Sequence, residues 1–210
     1  MENKEKIGVG QLKRFIVLLS LISVIAVLSA CSTKTSLELI EPEVDIINDK
    51  ERTGSMTLQQ GEKAGQEVVP TSLYYTFTIK NEGNKKIGNT TESVKEKIGN
   101  TTEGLKVKIE PNEKLLTVSN EVMGFNIFNP TEYENSGLGY GQTSIGVLEP
   151  NGEVQYVFIY ELGINEETTE ALLAPSKEQL DKLKTNAMEA TLIVSFNDEE
   201  IARFDLSKKE

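Results

Sequence analysis

Three groups of carboxylate side chains come closest to a catalytic pattern in this sequence. They are Glu132 with Glu134, Glu166 with Glu167, and Asp198 with Glu199 and Glu200. Two carboxylates that face each other across a cleft hydrolyse glycosides when burial raises the pKa of one of them. All three groups fall in predicted turns or loops, where carboxylates usually carry solvated surface charge. A carboxylate-based or cation-dependent hydrolase is therefore the less favoured function.

Composition disfavours most other enzyme chemistries. The 210 residues include no His and a single Cys, which removes the commonest general base, intramolecular disulfides and cysteine-rich zinc sites. No P-loop, Gly-x-Ser-x-Gly motif or EF-hand spacing occurs. The sequence therefore predicts a protein that is not an enzyme and that needs no cofactor or metal. A net charge of −11 also disfavours nucleic acid as a partner, because Lys and Arg must neutralise phosphates.

The segment from Phe128 to Gly141 is the candidate binding loop. It carries Tyr133 and Tyr140 together with three closely spaced glycines. Glycines permit a mobile loop, and tyrosine rings offer amphipathic contact area to a partner. The alternative is an ordinary connection between strands, in which the two rings cover the edge of a sheet.

The N-terminus has the pattern of a secretory signal peptide. A basic head ending at Lys13 and Arg14 precedes an uncharged run from Phe15 to Ala30. This run is shorter than the roughly 20 apolar residues of a bilayer-spanning helix and lacks a basic stop-transfer flank. A membrane-spanning signalling subunit, in which residues 1–30 are retained, is the weaker alternative.

The four residues Leu28, Ser29, Ala30 and Cys31 follow this run. They resemble the lipobox of bacterial lipoprotein precursors. The resemblance implies that Leu28, Ser29 and Ala30 are recognised by the signal peptidase and that Cys31 becomes the diacylglyceryl-modified N-terminus. It also implies localisation at the outer face of the bacterial cell membrane. Two acyl chains anchor a protein stably, whereas one holds it only marginally.

Apolar residues beyond Gly61 alternate with polar ones, as in half-buried strands. Tyr75, Phe77 and Ile79 are one such series, and turn residues separate it from the next. This pattern predicts a mainly β, antiparallel fold. Ser176 and Gln179 have the spacing of a capping box and predict one short helix before the final hairpin.

Two stretches resemble paired strands of the immunoglobulin-like domains of extracytoplasmic bacterial lipoproteins. They are TFTIKNEGNKKI, from Thr76 to Ile87, and VLEPNGEVQYVFIYEL, from Val147 to Leu162. The resemblance implies an antiparallel immunoglobulin-like sandwich, and it says nothing of an activity.

The sequence thus predicts three parts: a signal peptide with its helix over 1–30, an acylated Cys and polar tether over 31–60, and a β-sandwich domain over 61–210. Apolar residues within 37–47 leave open the alternative that this segment docks on the domain. The function favoured is a lipid-anchored cell-surface lipoprotein that acts as a non-catalytic binding or interaction module. Its expected partners are the membrane, through the anchor, and an envelope protein or wall component.

Overall fold

The computed structural model describes residues 36–88, 105–143, 147–169 and 171–208. Within these residues, the larger sheet consists of four antiparallel strands. The strands are β1 (Leu37–Ile47), β4 (Thr71–Asn81), β7 (Tyr140–Gln142) and β9 (Glu153–Gly163), and they lie in the order β1-β4-β9-β7. β4 and β9 are therefore central, whereas β1 and the short β7 form the two edges.

The smaller sheet has three antiparallel strands. These are β6 (Leu105–Pro111), β10 (Ala190–Phe196) and β11 (Glu199–Asp205), in the order β11-β10-β6. Two short ladders complete the β structure, β2 (Met56–Thr57) with β3 (Glu67–Val68) and β5 (Ile87–Gly88) with β8 (Val147–Leu148). The prediction of a mainly β, antiparallel fold is confirmed.

Both sheets contribute to one hydrophobic core. The alternation of β4 sends every second side chain into it, so Leu73, Tyr75, Phe77 and Ile79 are buried. The other strand residues that share this cluster are Tyr156, Phe158, Tyr160 and Leu162 of β9, Leu105, Val107 and Ile109 of β6, and Ala190, Leu192 and Val194 of β10. The two sheets therefore bury their alternating apolar faces in the same cluster.

The helix predicted from the capping box is present as α4. The described residues contain four helices, α1 (Lys50–Thr53), α2 (Glu113–Met123), α3 (Pro130–Asn135) and α4 (Lys177–Asn186). The Ser176 hydroxyl accepts from the Gln179 amide and the Gln179 side chain accepts from the Ser176 amide, which closes the box. The structure adds three helices to the one predicted: α1 behind an Asp49 cap, and α2 and α3 each behind an Asn cap.

Part of the segment predicted as a polar tether over 31–60 belongs to the larger sheet. Residues Leu37–Ile47 form the edge strand β1, which pairs with β4 from Leu37 opposite Asn81 to Ile47 opposite Ser72. The docked alternative is therefore the one observed. A bulge at Glu41, whose φ is +46°, shifts the register.

The lipobox with Cys31, the signal peptide and the start of the tether lie outside the described residues. No helix in the described residues is long and apolar enough to span a bilayer.

Candidate functional site

The candidate binding loop is folded into a helix and a strand. The Asn129 side chain accepts from the amide of Thr131 and caps α3, while Pro130 occupies the first turn. Gly137, with φ +73°, then reverses the chain toward β7. The prediction of a loop is therefore wrong for most of this segment, and its helical start signal is the Asn129-Pro130 pair.

Tyr133 is the buried residue of α3, with only 4% of its surface exposed. Its hydroxyl lies 2.6 Å from the carbonyl oxygen of Gly139 and 2.8 Å from that of Glu161. Burial, with the nearby Glu161 charge, raises the pKa of this hydroxyl far above its usual range. Because the ring and the hydroxyl are both engaged inside the protein, Tyr133 shapes the site and is not presented to a partner.

Tyr140 lies at the edge of the larger sheet and is 49% exposed. It stands opposite Tyr160 in the register of β7 and β9, so both rings lie on the core-facing side. Its hydroxyl donates to Oε1 of Gln142 at 2.8 Å. Burial of the hydroxyl end raises the pKa of Tyr140 to about 12, against an opposing hydrogen bond with Tyr160. Of the two predicted rings, Tyr140 is the one that a partner can reach.

Tyr133 and Tyr140 line the same cavity, whose volume is about 410 Å³. The ring centroids of the two residues are 6.3 Å apart and nearly perpendicular. The remaining walls come from β6, β9, the end of β7 and the connection before α3. The other lining residues are Val107, Lys108, Ile109, Ile127, Phe128, Pro130, Glu134, Gln142, Phe158 and Tyr160. The structure thus brings the predicted pair together in a recess, where the rings form part of its walls.

Hydrogen bonds of Gly139 and Gln142 hold the walls of this cavity in place. The amide of Gly139 donates to Oε2 of Glu161 at 2.7 Å, and a Cβ on Gly139 would lie 2.6 Å from the other carboxylate oxygen. Gly139 therefore allows the Glu161 carboxylate to close over the start of β7. On the opposite wall, Nε2 of Gln142 donates to the carbonyl oxygen of Val107 at 2.9 Å. This bond links the edge of the larger sheet to the edge of the smaller one.

The chemistry of the lining is suited to binding. Apart from the tyrosines, Lys108 and Glu134 are its ionisable residues. It includes no Ser, Thr, Cys or Asp. Aromatic and aliphatic walls with few polar groups are typical of sites that bind ligands by apolar burial.

The acidic groups lie on different elements: Glu132 and Glu134 on α3, Glu166 and Glu167 after β9, and Asp198 to Glu200 at the hairpin of β10 and β11. A hydrogen bond from Lys63 lowers the pKa of Glu166, and one from Arg203 lowers that of Glu200. A general acid needs the opposite shift. Within the described part of the chain, no group of three or more His, Cys, Asp or Glu residues could hold a metal ion.

Comparison of the chain with protein-family models, curated proteins and solved structures finds no match. The argument for a function therefore rests on the cavity and on the sequence. Sequence reasoning placed Tyr133 and Tyr140 among the candidates but missed Val107, Ile109, Phe158 and Tyr160. Their alternation predicts burial, and nothing in it distinguishes a core position from the wall of a recess.

Proposed function

We propose that this protein is a lipid-anchored lipoprotein of the outer face of the bacterial cell membrane, and that its domain is a non-catalytic binding module. The cavity lined by Tyr133 and Tyr140 is the observation that carries the binding role. Its volume of about 410 Å³ lies within the roughly 300–1,000 Å³ of typical small-ligand pockets. Its partner is an envelope protein or wall component that inserts an apolar group there.

The lipobox carries the anchoring part of the proposal. Cys31 is the only thiol of the chain and follows Leu28, Ser29 and Ala30. Five residues separate it from Leu37, the first residue of β1. Because an extended chain spans at most about 3.6 Å per residue, an anchor at Cys31 keeps Leu37, where β1 begins, within about 20 Å of the membrane.

The proposal includes an immunoglobulin-like sandwich as the finer description of the fold. It is supported by two antiparallel sheets of four and three strands that bury their apolar faces in one core. Such folds bind partners through their edges and loops, and fold alone implies no activity.

Toluene, the side-chain analogue of Phe, tests the binding role. Titration of the full chain in detergent, followed by methyl NMR, is expected to shift the methyl signals of Val107, Ile109 and Ile127, which line the cavity. Leu58 and Ile164 belong to a separate buried cluster and provide the control. Absence of shifts at the cavity methyls, or equal shifts in both clusters, would contradict the proposed function.

A further inference from the structure

The cavity lies between the free edges of the two sheets. Three consecutive residues of β6, Val107, Lys108 and Ile109, line it. Because side chains alternate between the faces of a strand, a wall formed by consecutive residues includes the strand's main chain. β6 is the outermost strand of the smaller sheet, and β7 is an outermost strand of the larger one. The recess therefore adjoins the unpaired side of β6.

Hydrogen bonds at the end of the ladder show which main-chain groups of β6 face this side. The amide of Asn112 donates to the carbonyl of Glu189 at 3.0 Å. The carbonyl of Ala190, opposite Pro111, accepts instead from Leu206 on the other side of β10. Since the groups of successive residues point to opposite sides, those of Val107 and Ile109 point away from β10. The bond from Gln142 to the Val107 carbonyl agrees with this direction.

The amide and carbonyl of Ile109 have no hydrogen-bond partner among the described residues. Ile109 is 2% exposed and lines the cavity, so these groups are reached through the cavity and hardly by bulk water. Buried main-chain groups are almost always paired, because an unmade hydrogen bond is costly away from water. A ligand that brings one donor and one acceptor to this position would satisfy both.

The polar side chains in the cavity are mostly engaged with each other. Gln142 donates to Val107 and accepts from Tyr140, while the Tyr133 hydroxyl bonds to main-chain carbonyls. Few side-chain groups remain to recognise the many hydroxyls of a sugar or the phosphates of a nucleotide. The free hydrogen-bonding capacity lies on the main chain of Ile109, beside apolar walls.

The solvent face of β6 offers one cation, Lys108, to an acidic side chain of a partner, and Glu134 is the one carboxylate that lines the cavity. Lys108 is exposed, and its Nζ lies 3.8 Å from Oε1 of Glu110. That carboxylate is also bound by Arg203, whose Nη1 lies 2.9 Å from Oε2. Lys106, by contrast, forms a 2.5 Å pair with Asp198. Lys108 is therefore the β6 cation most available to a carboxylate on an added strand.

We propose that the cavity binds an extended peptide segment of a partner protein, which adds a strand to the edge of β6. One apolar side chain of the segment enters the cavity, its main chain pairs with Ile109, and one acidic neighbour of that side chain lies beside Lys108. This inference rests on the proposed function and names its ligand class. Strand addition of this kind gives affinity through main-chain hydrogen bonds and specificity through a side-chain pocket.

Peptide binding to the full chain in detergent tests this arrangement. The probes are acetyl-Thr-Glu-Phe-Glu-Thr-amide, its analogue with N-methylated Phe, its analogue with Ser for Phe, and its analogue with Lys for both Glu. The unmodified Phe peptide is expected to bind, and each change is expected to weaken binding about tenfold or more, through loss of a main-chain bond, apolar burial or charge pairing. Lys108→Glu should weaken the Glu peptide similarly. Lys177→Glu, the same charge change in the first turn of α4, should leave its affinity unchanged.

The outcomes separate this inference from the proposed function. If toluene shifts the cavity methyls but the peptides do not bind, strand addition is wrong and the cavity remains a small-ligand site. Equal affinity for the N-methylated and unmodified Phe peptides would also overturn it, since pairing with Ile109 requires that amide hydrogen. If neither toluene nor peptide binds, the proposed function fails as well.

Discussion

The hydroxyl of Tyr133 lies 2.8 Å from the carbonyl oxygen of Glu161, 28 residues away in the chain. This contact fixes α3 against β9 and closes one wall of the cavity. The same hydroxyl also lies 2.6 Å from the carbonyl of Gly139, just before β7. One side chain therefore holds together a helix, a central strand and a sheet edge.

Replacement of Tyr133 is expected to affect stability before binding. Tyr133→Phe keeps the ring and removes the hydroxyl, so the free energy of unfolding should fall by about 1–2 kcal/mol. Tyr133→Ser also removes a buried ring, and a loss of about 3–5 kcal/mol is expected. Denaturant unfolding measures both. Equal and negligible losses would show that Tyr133 is not packed as the structure has it.

Replacement of Tyr140 is expected to affect binding more than stability, because its ring is half exposed. Tyr140→Ser is expected to cost only about 1 kcal/mol of unfolding free energy, well below a fully buried ring, while it removes one wall of the cavity. Binding of the Phe peptide should weaken about tenfold or more. Leu173→Ser provides the control at an exposed apolar residue that does not line the cavity. A similar loss of binding in both variants would contradict a role for Tyr140.

Replacement of Asn81 by Asp is expected to lower stability strongly, although the two side chains differ by very few atoms. Its side chain is fully buried, and Nδ2 donates to the carbonyl oxygens of Lys85 at 2.7 Å and Leu148 at 3.3 Å. Asn81→Asp replaces this donor by a carboxylate oxygen facing carbonyls, so a loss of about 3 kcal/mol or more is expected at neutral pH. Asn84→Asp makes the same change at an exposed position of the same turn and should be close to neutral. Thermal unfolding of the two variants provides the comparison.

Alkaline pH is expected to unfold the protein through its buried tyrosines. Burial raises the pKa values of the four buried tyrosines Tyr75, Tyr133, Tyr156 and Tyr160. The unfolded chain loses these protons near pH 10, roughly the ordinary tyrosine pKa, while the folded protein retains them. Their stabilising contribution is therefore complete below about pH 10 and decreases as the pH rises above it.

Near-ultraviolet phenolate absorbance and circular dichroism check this expectation together. Ionisation of these four tyrosines should accompany the loss of native circular dichroism. If they titrate near their ordinary pKa while the native spectrum persists, the tyrosines are solvated and the core is wrongly described.

The strands of the core could be predicted from the sequence, whereas the boundary and the cavity could not. The alternation of apolar and polar residues from Tyr75 to Ile79 is unbroken, so this local pattern predicts β4. In β1, Leu37 and Leu39 face the core on one side of the bulge, and Val44 and Ile46 face it on the other. The bulge thus shifts the apolar series from odd to even positions, which hides the strand. The cavity depends on β6 lying beside β7. These segments are distant in the sequence, so no local hydrophobic pattern predicts their contact.

Acylation of Cys31 is expected to be necessary for membrane retention. In Cys31→Ala the thioether cannot form, so a fatty-acid probe should no longer label the protein while the domain remains folded, because the described core begins at β1. Ser32→Ala, at the next residue, should be labelled normally. Labelling of Cys31→Ala would show that the lipobox interpretation is wrong.

Photocross-linking at Tyr140 on intact cells tests the central claim most directly. A benzoylphenylalanine in place of Tyr140 puts the reactive ketone at the mouth of the cavity. A benzoylphenylalanine in place of Leu173 serves as the control. The account predicts a discrete adduct from position 140 that excess acetyl-Thr-Glu-Phe-Glu-Thr-amide suppresses, and no such adduct from position 173. Absence of an adduct at position 140, or equal adducts from both positions, would contradict a surface binding module that acts through this cavity.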